Sequence, residues 1–144
     1  MPLATREVIR RLMISVNRID GIYAKQAADR KIKANLIEFF YALDDGKPHS
    51  QKEICEKWML PRSTLNTITR ECIEKGYVTT EHITGRRREM YLRLTEAGQR
   101  YARSFLDDIY RREEAAFFAS ALEEEDIARL EDFCDALKAS FEEK

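Results

Sequence analysis

Residues 48–76 read Pro48-His49-Ser50-Gln51-Lys52-Glu53-Ile54-Cys55-Glu56-Lys57-Trp58-Met59-Leu60-Pro61-Arg62-Ser63-Thr64-Leu65-Asn66-Thr67-Ile68-Thr69-Arg70-Glu71-Cys72-Ile73-Glu74-Lys75-Gly76, and the spacings inside this stretch set the fold. Ser50 precedes Glu53 by three positions, as in a capping box, where the serine oxygen satisfies a free backbone N–H and the glutamate reaches back. A short helix is therefore predicted from Gln51 to about Trp58. Pro61 suits the first position of a second helix, where its missing N–H costs nothing, and Gly76 stops that helix after Lys75. Leu65, Ile68 and Cys72 fall on one face of it, as core packing requires. Arg62, Ser63, Asn66, Thr67 and Arg70 are left facing outward.

The flanking sequence extends the pattern. Tyr77-Val78-Thr79-Thr80 and Tyr91-Leu92-Arg93-Leu94 are β-prone and bracket a polar tip, Ile83-Thr84-Gly85-Arg86-Arg87-Arg88, which predicts one hairpin. Thr95 can cap a long helix from Glu96 to about Ala119. Ser120-Ala121-Leu122-Glu123 repeats the capping-box spacing before a last helix striped by Ile127, Leu130, Phe133, Cys134, Leu137 and Phe141. Upstream, Ile9, Leu12, Met13, Val16, Ile19, Tyr23 and Ala27 draw one apolar stripe along a helix from Leu3 to about Asp29. The run Leu36 to Leu43 is apolar nearly all round, which predicts a central buried helix closed by the turn residues Asp44-Asp45-Gly46-Lys47-Pro48.

Composition narrows the function. At 144 residues with 44% hydrophobic and 35% charged side chains, the chain is the size of one domain and needs no disulfides to hold a core. No apolar run reaches the roughly 20 residues that span a bilayer, and residues 1–11 have no signal-peptide pattern, so a cytoplasmic, membrane-free protein is expected. Cys55, Cys72 and Cys134 are too widely spaced for a zinc knuckle and are expected to be reduced thiols. His49 and His82 form no metal-binding pair. Phosphate loops and hydrolase or metalloprotease motifs are missing. Neither an enzyme, a metal nor a cofactor is expected. The formal net charge of −1 conceals an uneven distribution of +3 over residues 1–60, +3 over 61–93 and −7 over 94–144. Such a chain can hold a polyanion with one part and repel it from another.

Helix, tight turn, helix and an arginine-tipped hairpin is the order of a winged helix-turn-helix, whose second helix enters the major groove of DNA. Asparagine matches adenine edges, arginine matches guanine edges, and serine or threonine matches phosphates or bases. The expected contacts are therefore Arg62, Ser63, Thr64, Asn66, Thr67 and Arg70 on the helix, and Arg86, Arg87 and Arg88 on the wing. Glu71 and Glu74 must point away from phosphate.

The residues Pro48 through Ile54, Leu60 through Leu65, Glu74-Lys75-Gly76-Tyr77-Val78 and Leu94-Thr95-Glu96-Ala97-Gly98 occur in an order that resembles the MarR family of bacterial transcriptional regulators. The resemblance spans essentially the whole chain. It implies a mainly α fold with a small β-hairpin wing, in which residues 1–31 and 96–144 form dimerisation helices and residues 32–95 form the DNA-binding lobe. Function follows as an expectation: a homodimeric, ligand-responsive repressor on an inverted-repeat operator in double-stranded DNA. In that family a small aromatic or phenolic effector binds where the dimer platform meets the reading lobe, which points to Tyr23, Phe40, Trp58, Tyr101 and Phe105. Core packing is the other reading of these rings. One departure stands out: Arg86 occupies the position of the family's wing aspartate, which orients the arginine matched here by Arg88. The peroxide-sensing branch carries a cysteine in its first long helix, where this chain has none. A winged-helix scaffold that binds protein instead of DNA is the alternative.

Overall fold

A computed structural model describes residues 3–82, 85 and 89–143. The order is α1 (Leu3–Arg30), α2 (Ala34–Leu43), β1 (His49–Ser50), α3 (Gln51–Trp58), α4 (Arg62–Glu74), β2 (Val78–Glu81), β3 (Tyr91–Leu94), α5 (Glu96–Ala119) and α6 (Glu124–Glu142). The chain forms two compact units, Met1–Leu106 and Asp107–Lys144, which meet within α5.

In the first unit α2 is the hub, packing against α1, α3, α4 and β3. Ile37, Phe39, Phe40, Ala42 and Leu43 are buried along it, as the all-round apolar run requires. Ile54 of α3, Leu65, Ile68 and Cys72 of α4, Val78 of β2, and Leu92 and Leu94 of β3 complete this core with Ala102, Phe105 and Leu106. By contrast, α1 buries only Ala27. Among the described residues no helix is long and apolar enough to cross a membrane.

The sheet has three antiparallel strands in the order β1-β3-β2, one more than the predicted hairpin. Val78 pairs with Leu94 and Glu81 with Tyr91, while His49 and Ser50 pair with Leu92 and Tyr91 on the other edge of β3. A two-residue strand has no periodicity to read. It arises here because Ser50 is extended (φ −74°, ψ 153°) in order to cap α3.

Three local expectations shift. Pro61 is the cap of α4 and not its first helical residue: it is extended (ψ 141°), and its carbonyl accepts the first intrahelical bond, from Leu65 N–H at 3.0 Å. Strand β2 begins at Val78 and not at Tyr77. Tyr77 N–H instead bonds to Cys72 O (2.9 Å) and Gly76 N–H to Ile73 O (3.0 Å), closing α4 in a Schellman motif with Gly76 at φ +78°. In the second unit the cap of α6 is Glu123, whose N–H donates to Asp126 Oδ2 at 2.9 Å. Ser120, expected there, closes α5, donating from Oγ to Phe117 O (2.8 Å) and accepting from Leu122 N–H (3.2 Å).

Candidate nucleic-acid interface

The capping serine starts the site. Ser50 Oγ accepts from Glu53 N–H at 3.0 Å, but the reciprocal half of the expected box is replaced. The Glu53 carboxylate goes to Lys57 Nζ (2.9 Å) and His49 Nδ1 (3.1 Å), and His49 Nε2 meets Asp45 at 2.8 Å. The α2–β1 turn, β1 and the first turn of α3 are thereby joined through one imidazole. These contacts hold the Asp45 and Glu53 carboxyls below their usual range. For Asp45 partial burial pulls the other way and is outweighed by the His49 and Lys47 contacts; for Glu53 the Lys57 bond leads, against some burial and with His49 adding to it.

Helix α4 then presents two chemically distinct faces. Leu65, Ile68, Thr69 and Cys72 are buried, whereas Arg62, Ser63, Asn66, Thr67 and Arg70 are exposed and Thr64 is half-buried. Neither Arg62 nor Arg70 has an ion-pair or hydrogen-bond partner among the described residues, so both guanidinium groups are available to an anion. Thr67 Oγ1 donates back to Ser63 O at 3.1 Å. Glu71 and Glu74 are exposed as well and lie, like Arg70, in the C-terminal half of the helix, beyond the N-terminal turns that reach base edges in a helix-turn-helix.

Thr69 was not anticipated. Buried at 4% exposure, it accepts from Gln51 Nε2 at 3.1 Å, and this bond ties the N-terminus of α3 to the middle of α4. Gln51 reads in sequence as an ordinary first-turn residue, and nothing in a local pattern pairs it with a threonine 18 positions away.

The wing is described only at its base. Arg86, Arg87 and Arg88, the expected wing contacts, lie outside the described residues. Arg93 on β3 donates from Nη1 to Gly46 O at 2.8 Å and stands 3.5 Å from Glu81, so the wing strand is anchored to the α2–β1 turn.

Of the five aromatic residues expected at an effector site, three come together. Phe40 packs edge-on against Tyr101 (5.3 Å between centroids) and Phe105 (6.0 Å), while Tyr77 stacks on Tyr101 at 4.6 Å. Phe40 and Phe105 are buried, so these rings fill one another's space. Trp58 lies apart, against Tyr41 at 5.3 Å, and Tyr23 is half-buried on α1. A cleft opens elsewhere, lined by Leu43, Asp44, Asp45, Gly46, Arg93, Leu94, Gln99 and Arg103.

Cys72 is buried in the α4 face, and burial pushes its thiol up to about 11. It is a protonated core residue at neutral pH rather than a nucleophile. Cys55 is half-buried and Cys134 exposed.

Comparison with known proteins gives a consistent likeness. The profile of the MarR family matches residues 37–89, from α2 through α4 into the wing. The fold is similar to that of NMB1585, a MarR family regulator from Neisseria meningitidis, with 25% identity over 93% of both chains and a TM-score of 0.73. It is also similar to NadR solved in complex with 4-hydroxyphenylacetate (15% identity, 90% of this chain and 91% of that one, TM-score 0.69). A Listeria monocytogenes protein of the family, solved with a 26mer DNA, matches at 14% identity over 92% of this chain and 87% of that one, TM-score 0.62. A search of curated protein sequences finds no match.

Proposed function

We propose that this chain is a DNA-binding transcriptional regulator of the MarR family and that it acts as a homodimeric, ligand-responsive repressor of an inverted-repeat operator. The carrying observation is the divided character of α4, with a buried apolar face and, opposite it, the unpaired Arg62 and Arg70 beside exposed Ser63, Asn66 and Thr67. Short polar donors and acceptors between two free guanidinium groups suit base edges and phosphates together. Thr64, at the margin of that face, takes a backbone contact. Arg86, Arg87 and Arg88 enter the adjacent minor groove from the wing, with Arg88 the principal contact.

Dimerisation follows from uncovered apolar surface. Along α1 Leu3, Val8, Ile14, Ile19 and Ile22 are more than half exposed, and along α6 Ile127, Leu130, Leu137 and Phe141 are exposed. Soluble monomers rarely leave large apolar helix faces exposed, and a second copy of the chain covers each of these two. Two-fold symmetry then demands an operator with two half-sites about one helical turn apart.

For the effector we propose a small aromatic or phenolic anion, on the strength of the resemblance and of the phenolic ligand in NadR. Binding next to the Tyr77–Tyr101 stack favours a spacing of the reading heads that DNA does not accept. It lowers operator affinity by its differential affinity for that state alone.

The test is selection of bound duplexes from a random-sequence library by the purified protein at near-physiological salt, with sedimentation of the same sample. An enriched inverted repeat bound by a dimer supports the reading. A folded dimer that enriches nothing points to the protein-binding scaffold, and a stable monomer at micromolar concentration removes the two-fold model.

A further inference from the structure

Between α3 and α4 the chain makes a choice that packing does not explain. Met59 is the C-cap of α3 in the left-handed conformation (φ 53°, ψ 34°), a position at which glycine or asparagine is favoured because a Cβ is strained there. Its side chain is 83% exposed, so the strain brings no burial. The next residue, Leu60, turns inward at 5% exposure and pins the turn by itself. Lys31, the other non-glycine residue at positive φ among those described (φ 57°), carries a charge that water solvates. Met59 carries an apolar thioether that water does not.

Residues that conflict with both their backbone and their surroundings concentrate where a binding partner determines the side chain. Met59 lies three positions before Arg62, in the turn that leads into α4, the helix that carries the exposed Arg62 and Arg70. Exposed Trp58 flanks it. The occupant that fits this placement, at the N-terminal end of α4, is the same duplex. On the major-groove edge of DNA the prominent apolar feature is the 5-methyl group of thymine.

We propose that Met59 is a specificity-determining residue whose thioether packs on a thymine methyl at the edge of each operator half-site. The proposal rests on the DNA-binding reading above, and its test separates the two. Affinities of the wild-type protein, Met59→Gly and Arg62→Ala are measured against the selected operator and against duplexes in which single thymines are replaced by deoxyuridine. Emission from Trp58, the only tryptophan of the chain, reports binding.

Loss of one methyl contact corresponds to about fourfold in affinity. Wild type is expected to lose that factor at one thymine per half-site. Met59→Gly is expected to lose it on the thymine duplex and to bind thymine and deoxyuridine duplexes alike. Its melting temperature stays at or above wild type, because glycine relieves the strained φ, so weaker binding is not unfolding. Arg62→Ala binds every duplex more weakly and keeps the thymine preference. Wild-type affinity in Met59→Gly, or indifference of wild type to the methyl groups, overturns the proposal and leaves the DNA-binding reading standing. A wild-type protein that enriches no sequence overturns both.

Discussion

A β-carbon on Gly98 would stand 1.9 Å from the carbonyl oxygen of Tyr77, so the first turn of α5 and the chain entering the wing touch backbone to backbone. The approach is held by two bonds. Thr95 N–H donates to Tyr77 O at 3.0 Å, and Thr95 Oγ1 donates to Gly76 O at 2.6 Å while also capping Gly98 N–H at 3.0 Å. Within the first unit, α5 is therefore fixed to the end of α4, and the Gly98–Tyr77 approach is between main-chain atoms, which cannot rotate away from a clash.

Gly98→Ala should destabilise the fold. Alanine in a helix gains up to ~1 kcal/mol over glycine, but overlap with a carbonyl forces backbone displacement at a cost typical of overpacking, for a net loss of about 2 kcal/mol. The midpoint of urea unfolding measures it. A midpoint equal to or above wild type would mean that Tyr77 and Gly98 are not in contact in solution.

Lys31 holds φ 57° between α1 and α2, with its N–H bonded to Ala28 O at 3.1 Å. Its side chain is exposed. Lys31→Gly relieves the left-handed strain and should raise stability by about 0.5–1 kcal/mol once glycine's larger unfolded-state entropy is set against it. Thermal melts of the two proteins decide it, and a lower melting temperature in the variant would contradict the assigned conformation.

Acid should loosen the α2–β1–α3 junction. The folded-state carboxyls of Asp45 and Glu53 lie below their ordinary values, so the unfolded chain takes up protons first. Their stabilisation is fully present above the unfolded values, near pH 4, and is lost as pH falls through the lower folded values. Urea midpoints measured from pH 6 down to 3 should decline, and Asp45→Asn and Glu53→Gln should each flatten the decline. Parallel curves for wild type and both variants would show that His49 and Lys57 do not hold these groups.

Much of the first unit was legible because its signals are local. The Ser50 cap, the Gly76 stop, the Leu65–Ile68–Cys72 face and the apolar run of α2 each act within a turn or two of the residue that encodes them. What escaped was long-range or competitive. Glu53 left its capping-box role because His49 and Lys57 offered stronger partners, and Ser120 lost the α6 cap because its hydroxyl was already closing α5. The pairing of Gln51 with Thr69 and that of β1 with β3 depend on chain crossings that a window of sequence does not contain. At the candidate site the α4 face was read from periodicity alone. The effector residues were not, because aromatic rings that form a pocket and rings that fill a core have the same sequence signature.

The two arginines of α4 supply the last prediction. Arg62 precedes Arg70 by eight residues, a little over two turns at 3.6 residues per turn, so the two guanidinium groups emerge on the same side of the helix about 12 Å apart along its axis. Each is free among the described residues and each faces solvent. On the function proposed above, Arg62, at the N-terminal end of α4, reaches bases as well as backbone, and Arg70 contacts phosphate. Arg70→Ala should therefore weaken binding to specific and random duplexes alike and lower the slope of log affinity against log salt by about one per subunit. Arg62→Ala should cost about 1–3 kcal/mol on the selected operator and less on random duplex, reducing the ratio between them. Fluorescence titrations of both variants across a salt series measure both quantities. An Arg70→Ala protein with the wild-type slope would remove this face of α4 from the DNA contact.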